Sequence, residues 1–140
     1  MKIPAVGYAH VRLTVTDIGR SRKFYDDVFG LEVASEVPPD ADPQTREQLA
    51  FLYGGVIYKI GDGLLGLRPA AAGGDRFDAD RVGLDHVSFT VADRAELQAS
   101  AAHLDSLGVA HEPIKDIGAG FILEFRDPDD VELEVFAPAG

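Results

Sequence analysis

Hydrophobic and polar residues alternate from His10 onward, with Val11, Leu13 and Val15 on one face and His10, Arg12 and Thr14 on the other. This period of two is the signature of a half-buried strand. The pattern returns at His86, where Val87, Phe89 and Val91 alternate with His86, Ser88 and Thr90. Set against each other, His10–Asp17 and His86–Asp93 are identical at five of eight positions, so the chain reads as an internal repeat.

Each strand runs into a predicted helix. In the first copy Asp17 serves as a cap, Phe24, Tyr25 and Val28 form an apolar stripe, and Gly30 ends the helix. In the second, Asp93 with Glu96 resembles a capping box, Leu97, Ala101 and Leu104 form the stripe, and Gly108 closes it. Short strands are expected next, at Leu31–Val37, Val56–Ile60 and Leu64–Arg68 in the first copy and at Val109–Ile114, Phe121–Arg126 and Val131–Phe136 in the second. Asp42-Pro43 is a cap followed by a first-turn proline, which predicts an inserted helix over Pro43–Tyr53 that the second copy lacks.

The fold class predicted is α+β. Two paired β-α-β-β-β modules, each marginal alone, form a cupped, partly closed mixed β-sheet with helices outside. The chain reads as a single domain over 1–140. The first module spans about 5–69, a glycine-rich linker about 70–82, and the second module about 83–138.

Composition narrows the function. No apolar run reaches the roughly eighteen residues of a membrane span, and Met1-Lys2-Ile3-Pro4 lacks the apolar stretch of a secretion signal, so a cytoplasmic address is expected. There is no cysteine, which excludes a thiolate metal site and a cysteine nucleophile. The net charge of −11 opposes nucleic-acid binding. It is uneven: residues 1–70 carry 8 basic and 9 acidic side chains, residues 71–140 carry 5 and 15.

The candidate chemistry lies on the polar faces. His10 and His86 open matching strands, and a pseudo-two-fold pairing of the copies brings equivalent positions together. On the last strand Val131, Leu133 and Val135 alternate with Glu132, Glu134 and Phe136, so Glu134 is a carboxylate within an otherwise apolar strand. Two imidazoles and one carboxylate make a set suited to Fe(II), Mn(II), Ni(II) or Zn(II), with positions left for water and substrate. Around the cavity Arg12, Ser88, Tyr58, Arg68 and Glu124 are candidates to point inward, with Arg12 and Glu124 taken as the catalytic pair. A salt bridge from Arg12 to Glu124 or Glu132 is the structural alternative. His103 and His111 are expected on the surface.

At these residues the chain resembles the vicinal oxygen chelate superfamily, which includes glyoxalase I, extradiol dioxygenases, fosfomycin-resistance transferases and bleomycin-binding proteins. The resemblance covers nearly the whole chain. It is carried by His10 at the first module, by Gly83-Leu84-Asp85-His86-Val87-Ser88-Phe89 at the second, and by Phe125-Arg126-Asp127-Pro128-Asp129 leading into Leu133-Glu134-Val135-Phe136. It implies that His10, His86 and Glu134 are ligands of one divalent metal. Some members take a fourth ligand where Gly66 stands here, and many have Gly-Asn where Asp130-Val131 stands.

Two functions follow from the resemblance. One is a metal-dependent enzyme of lyase, isomerase or dioxygenase type, acting on a small substrate that chelates the metal through vicinal oxygens. The other is a metal-independent protein that binds or sequesters an antibiotic-like small molecule, to which Gly66 and the aromatics Phe51, Tyr53 and Tyr58 point. A homodimer is expected in either case, because open sheet edges call for a partner.

Overall fold

The computed structural model describes Met1–Gly140. It divides into two compact units, Met1–Gly74 and Asp75–Gly140, each a β-α-β-β-β module with its own four-stranded mixed sheet.

The first unit contains β1 (His10–Thr14), α1 (Ile18–Val28), β2 (Val33–Ser35), α2 (Pro43–Gln48), a 3-10 turn at Ala50–Leu52, β3 (Val56–Ile60) and β4 (Gly63–Arg68). Its strand order is β1-β4-β3-β2, with β1 parallel to β4 and the remaining pairs antiparallel. The alternation on β1 sorts as expected: Leu13 and Val15 are buried, while His10 and Thr14 are exposed. Asp17 caps α1 by accepting the Arg20 N–H at 3.0 Å. The helix buries Tyr25 and Ser21, and Leu52, Val56, Tyr58, Leu65 and Leu67 complete the core.

The second unit contains β5 (Val87–Thr90), α3 (Arg94–Leu107), β6 (Lys115–Asp116), β7 (Gly120–Arg126) and β8 (Glu132–Pro138), in the order β5-β8-β7-β6. Asp93 accepts the Glu96 N–H at 2.9 Å, and the Glu96 carboxylate reaches back to the Ala92 N–H at 2.9 Å, so two donors of the helix start are satisfied reciprocally. Gly108 takes the left-handed conformation, φ 69°, that ends α3. Leu97 and Leu104 pack with Leu123, Leu133 and Val135 in the core.

Several expected boundaries shift. The inserted segment is not one helix over Pro43–Tyr53: α2 stops at Gln48, and a tighter 3-10 turn carries Leu52 into the core, where it is wholly buried. The strand expected at Val109–Ile114 is instead the two-residue β6. Residues 109–112 join β7 only through a bridge from His111 to Phe125, and Pro113 has no N–H to extend a ladder. β2 shortens to three residues around a register shift. Tyr58 does not face the polar side of its sheet. It is buried, and its hydroxyl donates to Asp26 Oδ1 at 2.8 Å on α1. Burial first, then this carboxylate, raises the Tyr58 pKa well above the ordinary phenol range.

The Asp-Pro-Asp turn is a closed structural device. Asp127 Oδ1 accepts the N–H groups of Asp129 and Val131 at 2.8 and 2.9 Å. Asp130 follows in the left-handed region, φ 65°. Arg76 donates to the Pro128 carbonyl and Phe77 to that of Asp129, so the start of the second unit is tied to the turn that precedes β8.

Candidate metal and substrate site

β8 is the central support of the site in the second unit. Glu134 lies between Ser88 on β5 and Glu124 on β7 in the strand register. The Ser88 hydroxyl donates to Glu134 Oε1 at 2.7 Å, and Glu134 Oε2 stands 3.7 Å from His86 Nε2. Only 15% of the Glu134 side chain is exposed. One carboxylate oxygen is therefore held by the serine while the other is turned toward the imidazole.

His86 directly precedes β5. Its Nδ1 lies 2.6 Å from Asp85 Oδ1. With Nδ1–H donating to that carboxylate, the neutral ring carries its free lone pair at Nε2, on the Glu134 side. A carboxylate behind a histidine is a common means of fixing the tautomer that binds a metal. The Asp85 hydrogen bond, and after it the charge of Glu134, raises the His86 pKa above its ordinary value.

A cavity of about 450 Å³ opens beside this pair, and its walls include Asp85, His111, Glu112, Glu124, Arg126 and Glu132. Glu124 is held by Lys115 at 3.0 Å, and Arg126 by Glu132 at 2.7 Å. His111 is not a plain surface residue: its side chain is 17% exposed and it lines this cavity. Its Nδ1 lies 2.8 Å from the Glu112 carbonyl and its Nε2 2.7 Å from Asp105, and both contacts raise its pKa, the carbonyl first.

In the first unit His10 and Arg12 share the exposed face of β1. Arg12 Nη2 donates to the Phe51 carbonyl at 2.6 Å. It crosses Gly66, its register partner on β4, where an added Cβ would lie 3.0 Å from Arg12 Cγ. Glycine at this position is explained by the passage of the arginine stem. Beside them His10, Phe51, Ile57 and Leu64 line a second cavity of about 300 Å³. Arg68 stacks its guanidinium 4.2 Å from the centre of the Tyr53 ring.

No group of three His, Asp or Glu side chains is gathered closely enough to hold a metal ion. The two expected ligands that stand together are His86 and Glu134, and their chemistry fits a divalent ion: an oriented imidazole nitrogen and a half-satisfied carboxylate. His10 belongs to the other unit. Of the supports of this pair, Ser88 was among the residues expected to point inward, whereas Asp85 was not. Asp85, next to His86, falls on the opposite face by strand alternation, whereas Glu132 shares the Glu134 face and was within reach of that argument. His111 and Lys115 were not, because their places depend on an irregular loop.

Comparison with known proteins agrees with this architecture. The family model of the Glyoxalase/Bleomycin resistance protein/Dioxygenase superfamily matches residues 7–135. The chain is 30% identical over 129 residues to the uncharacterized protein YaeR of Escherichia coli, covering 91% of this chain and 92% of that one. A glyoxylase/bleomycin resistance protein/dioxygenase domain from Frankia sp. shares its structure with a TM-score of 0.75 at 28% identity, over 96% of this chain and 99% of the other. The same fold occurs in a mutant of the fosfomycin resistance protein FosX from Listeria monocytogenes, solved with Mn(II) and 1S,2S-dihydroxypropylphosphonic acid. That match has a TM-score of 0.70 at 17% identity, over 96% and 94% of the two chains. With the family model spanning both modules, the chain belongs to the glyoxalase/bleomycin resistance protein/dioxygenase superfamily.

Proposed function

We propose that this protein is a divalent-metal-dependent enzyme acting on a small substrate that chelates the ion through two neighbouring oxygens. The observation that carries this reading is the His86–Glu134 pair, with Asp85 behind the imidazole and Ser88 holding the far carboxylate oxygen. His10 is the proposed third ligand. The Mn(II) and vicinal diol in the fold neighbour from Listeria monocytogenes support an ion of this class and a substrate of this shape.

A bound ion of this kind supplies Lewis-acid polarisation of the substrate oxygens. The chain's own residues do the rest. Asp85 holds the His86 tautomer, and Ser88 orients Glu134. Glu124, beside Glu134 on the neighbouring strand and ion-paired with Lys115, is the proposed proton acceptor. Arg12 has one donor committed to Phe51 and others left for a substrate oxygen.

Titration of metal-free protein with Mn(II), Fe(II), Ni(II) and Zn(II), followed by calorimetry, tests the proposal. One stoichiometric site that is lost in His10→Ala, His86→Ala and Glu134→Ala supports it. Absence of binding for all four metals refutes it.

A second reading is favoured by the cavity beside Phe51, Ile57 and Leu64, which suits an apolar ligand without any metal. Ligand binding that persists unchanged in His86→Ala and Glu134→Ala selects that reading. Under either one, the open edges β1 and β5, with Val6, Tyr8, Val82 and Leu84 exposed ahead of them, support a homodimer. A light-scattering mass of one 15.0 kDa chain at micromolar concentration would count against it.

A further inference from the structure

We infer that the cavity of the second unit selects vicinal-oxygen ligands whose remaining substituent is neutral or cationic, and rejects those carrying a carboxylate or phosphonate. This rests on the metal-site reading above and adds the charge class of the substrate.

Glu124 and Glu134 are direct partners across β7 and β8, and Glu132 lies two residues from Glu134 on the same face. Like charges placed opposite one another destabilise a sheet. Here they are placed together on the wall of a cavity, with Glu112 and Asp85 also lining it.

The cations near these carboxylates are already committed. Arg126 is paired to Glu132 and Lys115 to Glu124. His111 commits its two ring nitrogens to the Glu112 carbonyl and to Asp105. A divalent ion held there would have its charge offset by Glu134 and by an ionised oxygen of the ligand. With Arg12 assigned above to a substrate oxygen, the charge met by the rest of the ligand is set by these walls.

An anionic substituent must either break an existing ion pair or enter beside uncompensated carboxylate oxygens. An ammonium group instead meets the second oxygens of Glu124 and Glu132. With an effective dielectric constant near 20, one carboxylate a few ångström away changes the affinity for a unit charge by about tenfold or more. Added salt reduces that difference where the wall is open to solvent.

Three probes with the same pair of ring hydroxyls separate charge from chelation: dopamine, catechol and 3,4-dihydroxybenzoate. Calorimetry is performed with each on Mn(II)-loaded and on metal-free protein, after Mn(II) alone has been titrated. The expected order of affinity is dopamine, catechol, 3,4-dihydroxybenzoate, with about tenfold or more between first and last at low salt. Glu132→Gln, which releases Arg126, and Glu124→Gln, which releases Lys115, should each raise the affinity for 3,4-dihydroxybenzoate, whereas Glu47→Gln on α2 should leave the order unchanged. Failure of Mn(II) to bind refutes the metal-site reading alone, because the order on metal-free protein still reads the field of the cavity. Equal affinities, a reversed order, or no binding of any probe in either form overturns the inference.

Discussion

Arg12 lies across Gly66, its partner in the β1–β4 ladder, and an added Cβ on the glycine would stand 3.0 Å from Arg12 Cγ. The arginine uses this path to reach the Phe51 carbonyl at 2.6 Å. Gly66→Ala is expected to displace the stem and weaken that bond, destabilising the protein by about 1 kcal/mol. In an Arg12→Ala background the same change should cost much less, since the crowded group is gone. Urea denaturation of the two single variants and the double variant measures this coupling, and equal costs in both backgrounds would refute the steric account.

Asp85 is expected to act through His86. Asp85→Asn removes the charged partner of Nδ1 and should weaken metal binding by about 10–100-fold, while His103→Ala on α3 should leave it unchanged. Calorimetric titration with Mn(II) and Zn(II) checks both.

The inserted segment is part core and part wall. Leu52 is wholly buried, so Leu52→Ala should cost about 2–5 kcal/mol, whereas Phe51→Ala, at a half-exposed ring, should cost far less and change ligand affinity instead. Thermal unfolding of both variants separates the two roles. Deleting the whole segment is therefore expected to damage the fold.

His111 links the end of α3 to the loop before β6. Its pKa is raised in the folded state, by the Glu112 carbonyl first and then by Asp105. A group whose folded pKa is raised contributes stability that is fully present below its unfolded pKa, about 6.5, and is lost as pH rises through the folded value. His111→Gln should therefore lower the melting temperature more at pH 5.5 than at pH 8.5. An equal loss at both pH values would show that the ring acts by packing alone.

Asp130 adopts φ 65° in the turn before β8 and is paired with Arg76 at 3.5 Å. Asp130→Ala should cost about 1 kcal/mol, because alanine tolerates the left-handed region poorly. Asp130→Gly should be close to neutral, with relief of strain offsetting an exposed ion pair worth about 0–1 kcal/mol. Denaturant midpoints of the two variants decide the matter.

The sequence by itself determined the repeat, the two β-α-β-β-β modules, both helix caps at Asp17 and Asp93, and the sorting of β8 into a buried Val131-Leu133-Val135 face and a Glu132-Glu134-Phe136 face. These are local consequences of side-chain period and of caps that act over three or four residues, so they survive without knowledge of distant partners. Only the tertiary structure decided what crosses from one strand to the next. The register between β7 and β8 sets Glu124 beside Glu134, and the register between β1 and β4 lays Arg12 over Gly66. Tyr58 was drawn to Asp26 because the buried face of β3 packs on α1, and His111 was drawn into the cavity wall by an irregular loop with no periodic signal. Register and loop course depend on packing between segments far apart in the chain, and periodicity within a segment carries no record of them.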